Sequence, residues 1–298
     1  MFEFITQKYL ACCGYKTRKL LNYQALKMNK AIITFSCIVL LLNKVYAQDA
    51  IKKSDADSLQ EVSLSNLTPD KKTMIALTFG QSNAGNRGQI PYTPHNSSVL
   101  NYYEGKLYPA KDPLLGTTGP GGSVWTHLGD LLIDSGLYEK VIFVPIAIGN
   151  TDIACWTSGE CFQKLEKTLK QLDSLHIKLT HIFWHQGESD NLENTSKEKY
   201  KASLKILLQT LRKYYQDADF YVSIASYHNG AITKPLGVDT AIRQAQKEFI
   251  RGNKGVVFGP DTDQLIYAIH RHDGVHFSDF GMKAYAQLWL REIRKKRE

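Results

Sequence analysis

The stretch MIALTFGQSN, residues 74–83, decides how the rest of this 298-residue chain is interpreted. It begins with an apolar run that predicts a short buried strand. The strand ends at Gly80, and Ser82 follows two residues later. That spacing places a hydroxyl at the carboxyl end of a strand, where open α/β sheets bind their ligands. Gly-x-Ser-Asn after a strand is also a common turn, so other parts of the chain must decide whether Ser82 has a chemical role.

Strand and helix patterns alternate from residue 71 to the C-terminus. Apolar runs predict five strands, at residues 74–79, 141–148, 180–184, 220–225 and 255–258. Helical spacing predicts helices at residues 123–135, 162–175, 196–215, 238–251 and 279–297. This alternation is typical of an α/β fold, a three-layer α/β/α sandwich around a central parallel sheet of about five strands. The Gly-, Pro-, Asn- and Tyr-rich segment 84–121 is interpreted as a long surface excursion over the site.

The N-terminal region differs from the rest of the chain in charge. Residues 1–47 hold seven Lys or Arg and one acidic residue, so they account for six of the eight net positive charges. The remainder lacks a basic footprint, and no nucleic-acid partner is predicted. A basic start at Met28, a 12-residue apolar run and Ala47 predict a signal peptide at residues 28–47. That run is too short for a stable membrane insertion.

The predicted domain organisation follows from that signal peptide. Residues 1–27 are interpreted as an over-extended N-terminus, 48–70 as a polar linker and 71–298 as the functional domain. The mature protein is expected to be secreted or periplasmic. Two of the five cysteines, Cys155 and Cys161, remain after cleavage. An exported pair is a disulfide candidate, but a reduced pair is equally compatible with the sequence.

The loops after the predicted strands carry the residues with chemical potential. A serine nucleophile needs a base within hydrogen-bond reach and a third group that orients the base. Asp273 and His276, three residues apart, supply both from one turn. An aspartate that accepts the Nδ1 proton leaves Nε2 free to take the serine proton. Alone, Asp-Gly-x-His is most often a turn.

Acyl transfer also needs hydrogen-bond donors aimed at the developing oxyanion. The backbone N–H of Ser82, the backbone around Gly149 and Asn150, and the amide of Gln186 all lie in loops at strand ends. Gln186 has an alternative role, because a buried amide at the end of a strand could pair with backbone groups instead. Gly80 is interpreted as room for the backbone to approach the substrate carbonyl.

Three motifs occur in a fixed order and together resemble the SGNH-hydrolase superfamily, which has a flavodoxin-like sandwich. They are GQSN at residues 80–83, WHQGESD at 184–190 and DGVHF at 273–277. More narrowly, they look like the branch of sialate O-acetylesterases and acetyl xylan esterases of carbohydrate esterase family six. GPG at 119–121 and AIGNTDI at 147–153 are also similar to that branch.

The resemblance implies a serine esterase that removes O-acetyl groups from carbohydrate through an acetyl-enzyme, without a cofactor or metal. It implies Ser82 as nucleophile, His276 as base and Asp273 as its partner. The implied oxyanion hole consists of Ser82, Gly149, Asn150 and Gln186. The branch usually has two glycines where this chain has Gly149-Asn150, so the donor there stays open. Gln81, Asn83 and Glu188 are given supporting roles.

Two other functions compete with this interpretation. A metal-dependent hydrolase could use His270, His272 and His276, although their spacing fixes no tetrahedral set. A glycan-binding module without catalysis would stack sugars on aromatic side chains. The candidates for that stacking are Tyr102, Tyr103, Tyr108, Trp125 and Trp156. Aromatic side chains more often belong to the core, and the Ser82, Asp273 and His276 set favours catalysis.

Overall fold

The computed structural model describes residues 60–64 and 70–298. The predicted N-terminal extension, the signal peptide and most of the linker lie outside the described residues. Within the predicted linker, the N–H of Val62 donates to the carbonyl of Leu107 at 2.8 Å. Glu61 also pairs with Lys106 at 3.0 Å. This short part of the linker is therefore attached to the sheet edge. In the described part of the chain, no helix has the length and apolar character needed to cross a membrane.

Seven strands form one sheet in the order β3-β2-β4-β1-β5-β6-β7. They are β1 (Thr73–Gly80), β2 (Val99–Tyr103), β3 (Lys106–Pro109), β4 (Lys140–Pro145), β5 (His181–His185), β6 (Asp219–Ile224) and β7 (Val256–Asp261). All neighbours are parallel except β2 and β3. The parallel sheet is thus confirmed, and β1, which leads to Ser82, lies at its centre, where both faces are covered.

The sheet has two strands more than the five predicted, and both come from segment 84–121. Strand β2 pairs with β4, and β3 folds back on β2 as a hairpin. The polar residues Asn101 and Lys106 lie among their apolar residues, and this hides the strand pattern in the sequence. Asn86 ties the segment down, because its amide exchanges hydrogen bonds of 2.9 and 3.0 Å with the backbone of Leu114. The predicted surface excursion therefore contributes the two edge strands β2 and β3 to the sheet.

Helices cover both faces of the sheet. They are α1 (Val124–Asp134), α2 (Cys155–Ser158), α3 (Glu160–Ser174), α4 (Glu188–Leu192), α5 (Lys197–Arg212), α6 (Thr240–Arg251) and α7 (Asp279–Arg297). One core forms between the sheet and helices α3, α5 and α6, and it includes Ile75 and Leu77 of β1. The other forms against α1 and α7 and includes Met74 and Ala76. This alternation along β1 produces the predicted three layers.

The five predicted helices are present, with ends shifted by a few residues. Ser123, Ser196 and Ser278 accept hydrogen bonds from the first turns of α1, α5 and α7. A side-chain oxygen at this position satisfies a backbone donor that the helix leaves unpaired. The two cysteines left open by the sequence are joined: Cys155 and Cys161 form a disulfide.

Gly80 ends β1 in a conformation that only glycine adopts easily. Its φ is +128°, and a Cβ placed there would lie 2.0 Å from the carbonyl oxygen of His185. The close approach is therefore to strand β5, and not to a substrate carbonyl as the sequence suggested. The chain needs glycine here so that β1 and β5 can stay paired up to the residue before the site.

Gly80→Ala is expected to lower the free energy of unfolding by at least about 3 kcal/mol, because it adds both backbone strain and an overlap with β5. Gly136→Ala is the matched control. Gly136 also has a positive φ, +70°, but a Cβ added to it would meet no heavy atom within 4 Å. That control is expected to cost only about 1–2 kcal/mol. Urea unfolding of both variants measures the difference. Equal costs would contradict the overlap.

Candidate active site

Ser82 lies in a single 3₁₀ turn, Ser82–Ala84, that follows β1 directly. The turn is closed by the N–H of Gly85, which donates to the Ser82 carbonyl at 3.0 Å. Ser82 is only 3 % exposed. The turn redirects the chain at the carboxyl end of the central strand, so the hydroxyl is held by rigid backbone at the edge where ligands bind.

Asp273 and His276 form a short loop that precedes α7. Oδ2 of Asp273 lies 2.6 Å from Nδ1 of His276. Oδ1 accepts from the N–H groups of Val275 and His276 at 2.9 and 2.7 Å. Burial alone would raise the pKa of Asp273, but the hydrogen bonds from His276 and Val275 hold it well below its usual range. The carboxylate is therefore charged and fixes the imidazole with Nδ1 protonated.

A buried arginine holds this loop in place. The guanidinium of Arg271 donates to the carbonyls of Leu265 and Val275, both at 2.7 Å. It also lies 3.7 Å from the centre of the Phe277 ring. These contacts fix the loop on both sides of His276, because Val275 and Phe277 are its chain neighbours.

Ser82 and His276 line the same cleft, whose volume is about 350 Å³. The nucleophile turn also touches the base loop, since the amide of Asn83 reaches the carbonyl of Val275 at 3.4 Å. Asn150 lines this cleft as well. The structure therefore brings the predicted nucleophile, the predicted base pair and one predicted oxyanion residue to one opening.

Behind the cleft, Glu188 joins the Ser82 turn to the core. It accepts from the amide of Asn83 at 2.9 Å and from Nε2 of His185 at 3.0 Å. Tyr285 bonds the other ring nitrogen of His185. Burial would raise the pKa of Glu188, but the hydrogen bonds and charge of His185 and the bond from Asn83 lower it to about 2. These contacts join Asn83 and Glu188 behind the cleft, and the supporting roles of both residues stay predictions.

Gln186 occupies a different place from the one predicted for an oxyanion donor. It is 0 % exposed. Its Nε2 donates to Asp190, Thr151 and Gln81 at 2.6, 3.1 and 3.1 Å. Tyr200 donates to its Oε1 at 2.9 Å. This geometry matches the alternative that the sequence left open, in which the buried amide pairs with protein groups.

Gly149 lies beside the nucleophile, but its backbone donor is engaged. A Cβ on Gly149 would lie 3.6 Å from the Cβ of Ser82. The N–H of Gly149 donates to the hydroxyl of Thr118 at 2.8 Å. Asn150 follows with a positive φ of 58° and is exposed. The Gly149 N–H is therefore already occupied and is not free to bind an oxyanion. Asn150, in contrast, lines the cleft.

Five residues of the cleft wall have no role in the sequence-based prediction. They are Ser189, Leu192, Glu193, His228 and Val275, the last being the chain neighbour of His276. The first three follow β5 and lie on or just after α4, and His228 follows β6. Their position after strands that lead to the site could have marked them as candidates. The sequence of a loop does not show, however, which of its side chains face the cleft.

The structure also places the residues on which the two competing functions, metal binding and sugar stacking, depend. Ligand atoms of His272, Asp273 and His276 lie within 4.8 Å of one another, and His270 is not part of that group. Nδ1 of His276 is already bonded to Asp273. The aromatic candidates for sugar stacking are mostly buried: Trp125 and Trp156 are 0 % exposed, Tyr102 is 2 % and Tyr108 is 5 % exposed. These four belong to the core and cannot form a sugar-binding platform.

The α/β fold and the match to a family model together define a carboxylic ester hydrolase. Residues 72–293 match the family model for SASA, the carbohydrate esterase described as sialic acid-specific acetylesterase, and the chain belongs to this family. No curated protein matches the chain.

Solved structures share the fold at low sequence identity. A protein from Arabidopsis thaliana is 20 % identical with a TM-score of 0.59, over 76 % of this chain and 98 % of that one. A Clostridium thermocellum family 3 carbohydrate esterase is 15 % identical with a TM-score of 0.51, over 76 % and 97 %. The protein NanS is 12 % identical with a TM-score of 0.53, over 76 % and 98 %.

Proposed function

We propose that the protein is an exported serine esterase that removes O-acetyl groups from carbohydrate through an acetyl-enzyme intermediate. The observation that carries the proposal is the shared cleft, which Ser82 and His276 both line while Asp273 holds the imidazole. Membership of a carbohydrate esterase family supports the substrate class. Loss of acetate release in Ser82→Ala tests the proposal.

In the proposed reaction, Nε2 of His276 takes the proton of the Ser82 hydroxyl as Oγ bonds to the acetyl carbon. The carbonyl electron pair moves onto its oxygen and is stabilised by N–H donors. When the pair returns, the ester C–O bond breaks and His276 gives its proton to the departing sugar oxygen. Water then attacks the acetyl-Ser82 ester with the same base, which releases acetate and restores the hydroxyl.

Export is proposed from two independent features. Residues 28–47 have the pattern of a signal peptide. The Cys155–Cys161 disulfide fits an oxidising compartment outside the cytosol. Sequencing the N-terminus of the mature protein is expected to give Gln48, and a first residue before it would contradict cleavage after Ala47.

Within this function, the charge of the cleft favours neutral acetylated sugars, such as acetylated xylan, over O-acetylated sialic acid. Glu193 is the acidic residue of the cleft wall, and among the described lining residues there is no Lys or Arg. Burial and the neighbouring Asp152 and Asp190 raise the pKa of Glu193, so two further acidic residues lie near this part of the wall. A sialate carboxylate would meet repulsion there without a cation to pair with.

Glu193→Gln is expected to raise kcat/KM for O-acetyl sialic acid by about fivefold, because removing one charge near 4 Å in water is worth about 1 kcal/mol. Activity on acetylated xylo-oligosaccharide is expected to change little. Acetate release from both substrates, compared between low salt and roughly 0.5 M salt, measures the effect, which salt should weaken. A wild-type enzyme that prefers sialate at low salt would contradict this substrate assignment.

A further inference from the structure

Two predicted oxyanion donors are already engaged by the protein. The Gly149 N–H donates to Thr118, and the Gln186 amide donates to three acceptors at 3.1 Å or less. The Ser82 N–H has no protein acceptor among the described residues, so it can serve the oxyanion, and the exposed Asn150 stays a candidate side-chain donor at the cleft. One backbone donor is a weak oxyanion hole, because each lost donor usually costs about 10²–10³ in kcat.

The side chain of Gln81, next to the nucleophile, is fixed in one orientation. Its Oε1 accepts from the backbone N–H groups of Gly187 and Ser189 at 3.3 and 3.1 Å, and from Gln186 at 3.1 Å. Backbone N–H groups only donate, so the amide oxygen must face them. The usual ambiguity between the two ends of an amide is therefore absent, and Nε2 must point away from this network.

The amide nitrogen Nε2 of Gln81 is a hydrogen-bond donor without a protein acceptor in the part of the chain that the structure describes, although Gln81 is only 3 % exposed. Gln81 lines the cleft together with Ser82 and His276. A neutral N–H donor held rigidly in a poorly solvated wall is the kind of group that stabilises a developing negative charge without reorganisation.

We propose that the Gln81 side-chain amide, together with the Ser82 N–H, forms the oxyanion hole, and that Gln186 acts as a positioning residue that holds Gln81. This inference rests on the proposed esterase function and deepens it. It assigns to Gln81 a direct contact with the substrate acyl oxygen, and it makes the Gly187–Ser189 backbone the support of that contact.

The test compares p-nitrophenyl acetate with p-nitrophenyl thionoacetate, in which sulfur replaces the carbonyl oxygen. Sulfur accepts hydrogen bonds weakly, so an intact oxyanion hole favours the oxygen ester. In Gln81→Met, kcat for the oxygen ester is expected to fall about 10²–10³-fold with little change in KM. The preference for oxygen over sulfur is expected to fall about 10- to 100-fold. Gln186→Met, the matched control, should keep most of that preference even if its rate drops, because the N–H groups of Gly187 and Ser189 still hold Gln81.

Each outcome decides the assignment. An oxygen preference that is retained in Gln81→Met, or lost in Gln186→Met, would overturn it. If Gln81→Met does not fold, as judged by thermal unfolding, Gln81→Glu replaces it, because a carboxylate still accepts from Gly187 and Ser189 but no longer donates. Retained preference in that variant would also overturn the proposal. A wild-type enzyme inactive on both esters would instead contradict the esterase function itself.

Discussion

Ser82→Ala is expected to lower kcat for p-nitrophenyl acetate by about 10⁵- to 10⁶-fold, because no acetyl-enzyme can form without the hydroxyl. The variant should fold normally. Among the described residues, the Ser82 hydroxyl has no hydrogen-bond partner that its removal would leave unpaired, and the backbone turn that holds it uses only main-chain atoms. Initial rates of nitrophenol release, with thermal unfolding of the same samples, measure both parts of the prediction.

Ser189→Ala is the matched control for this experiment. Ser189 is a second serine on the cleft wall, and its contribution to the site is its backbone N–H, which alanine keeps. Its rate is expected to stay within about tenfold of wild type, because alanine removes only a side-chain hydroxyl to which no role is assigned. Near-wild-type activity in Ser82→Ala would show that the nucleophile is misassigned. Loss of wild-type activity in excess chelator would instead favour a metal at His272, Asp273 and His276.

The sequence predicted the fold well where strands are buried on both faces. Strands β4, β5 and β6 are built around short apolar runs, and such runs are typical of a parallel sheet covered by helices. The β2–β3 hairpin at the sheet edge was missed because Asn101 and Lys106 interrupt its apolar pattern. Asn101 is nevertheless buried, since its amide bonds the backbone of Leu115 at 2.8 and 3.3 Å. Such pairing depends on tertiary contacts that local sequence does not contain.

The same distinction applies to the site. Ser82, Asp273 and His276 could be proposed from sequence because the roles of nucleophile, orienting acid and base demand those residue types. The structure places Ser82 and His276 on one cleft, and their catalytic roles stay predictions. The donors could not be assigned, because an amide has two ends and sequence does not say which way it faces. For Gln186 the answer depends on Asp190 and Thr151, and for Gly149 on Thr118. The charge of the cleft wall likewise depends on which face of α4 is turned to the opening.

Asp273→Asn tests the second half of the catalytic assignment and is expected to lower kcat by about 10³- to 10⁴-fold. The carboxylate now accepts from Nδ1 of His276 with one oxygen and from two backbone N–H groups with the other. Asparagine has only one oxygen. If that oxygen keeps the backbone bonds, its NH₂ group faces Nδ1, which must then be unprotonated.

That arrangement places the imidazole proton on Nε2, so His276 cannot accept the proton of Ser82. The backbone bonds and the fold are retained, and thermal unfolding should therefore change little. Asp134→Asn is the matched control, because Asp134 bonds His95 at 3.2 Å in another histidine–carboxylate pair that does not line the cleft. Steady-state rates of both variants give the comparison. An Asp273→Asn enzyme within about tenfold of wild type would mean that His276 is oriented by some other group, and that the Asp273 contact only shapes the loop.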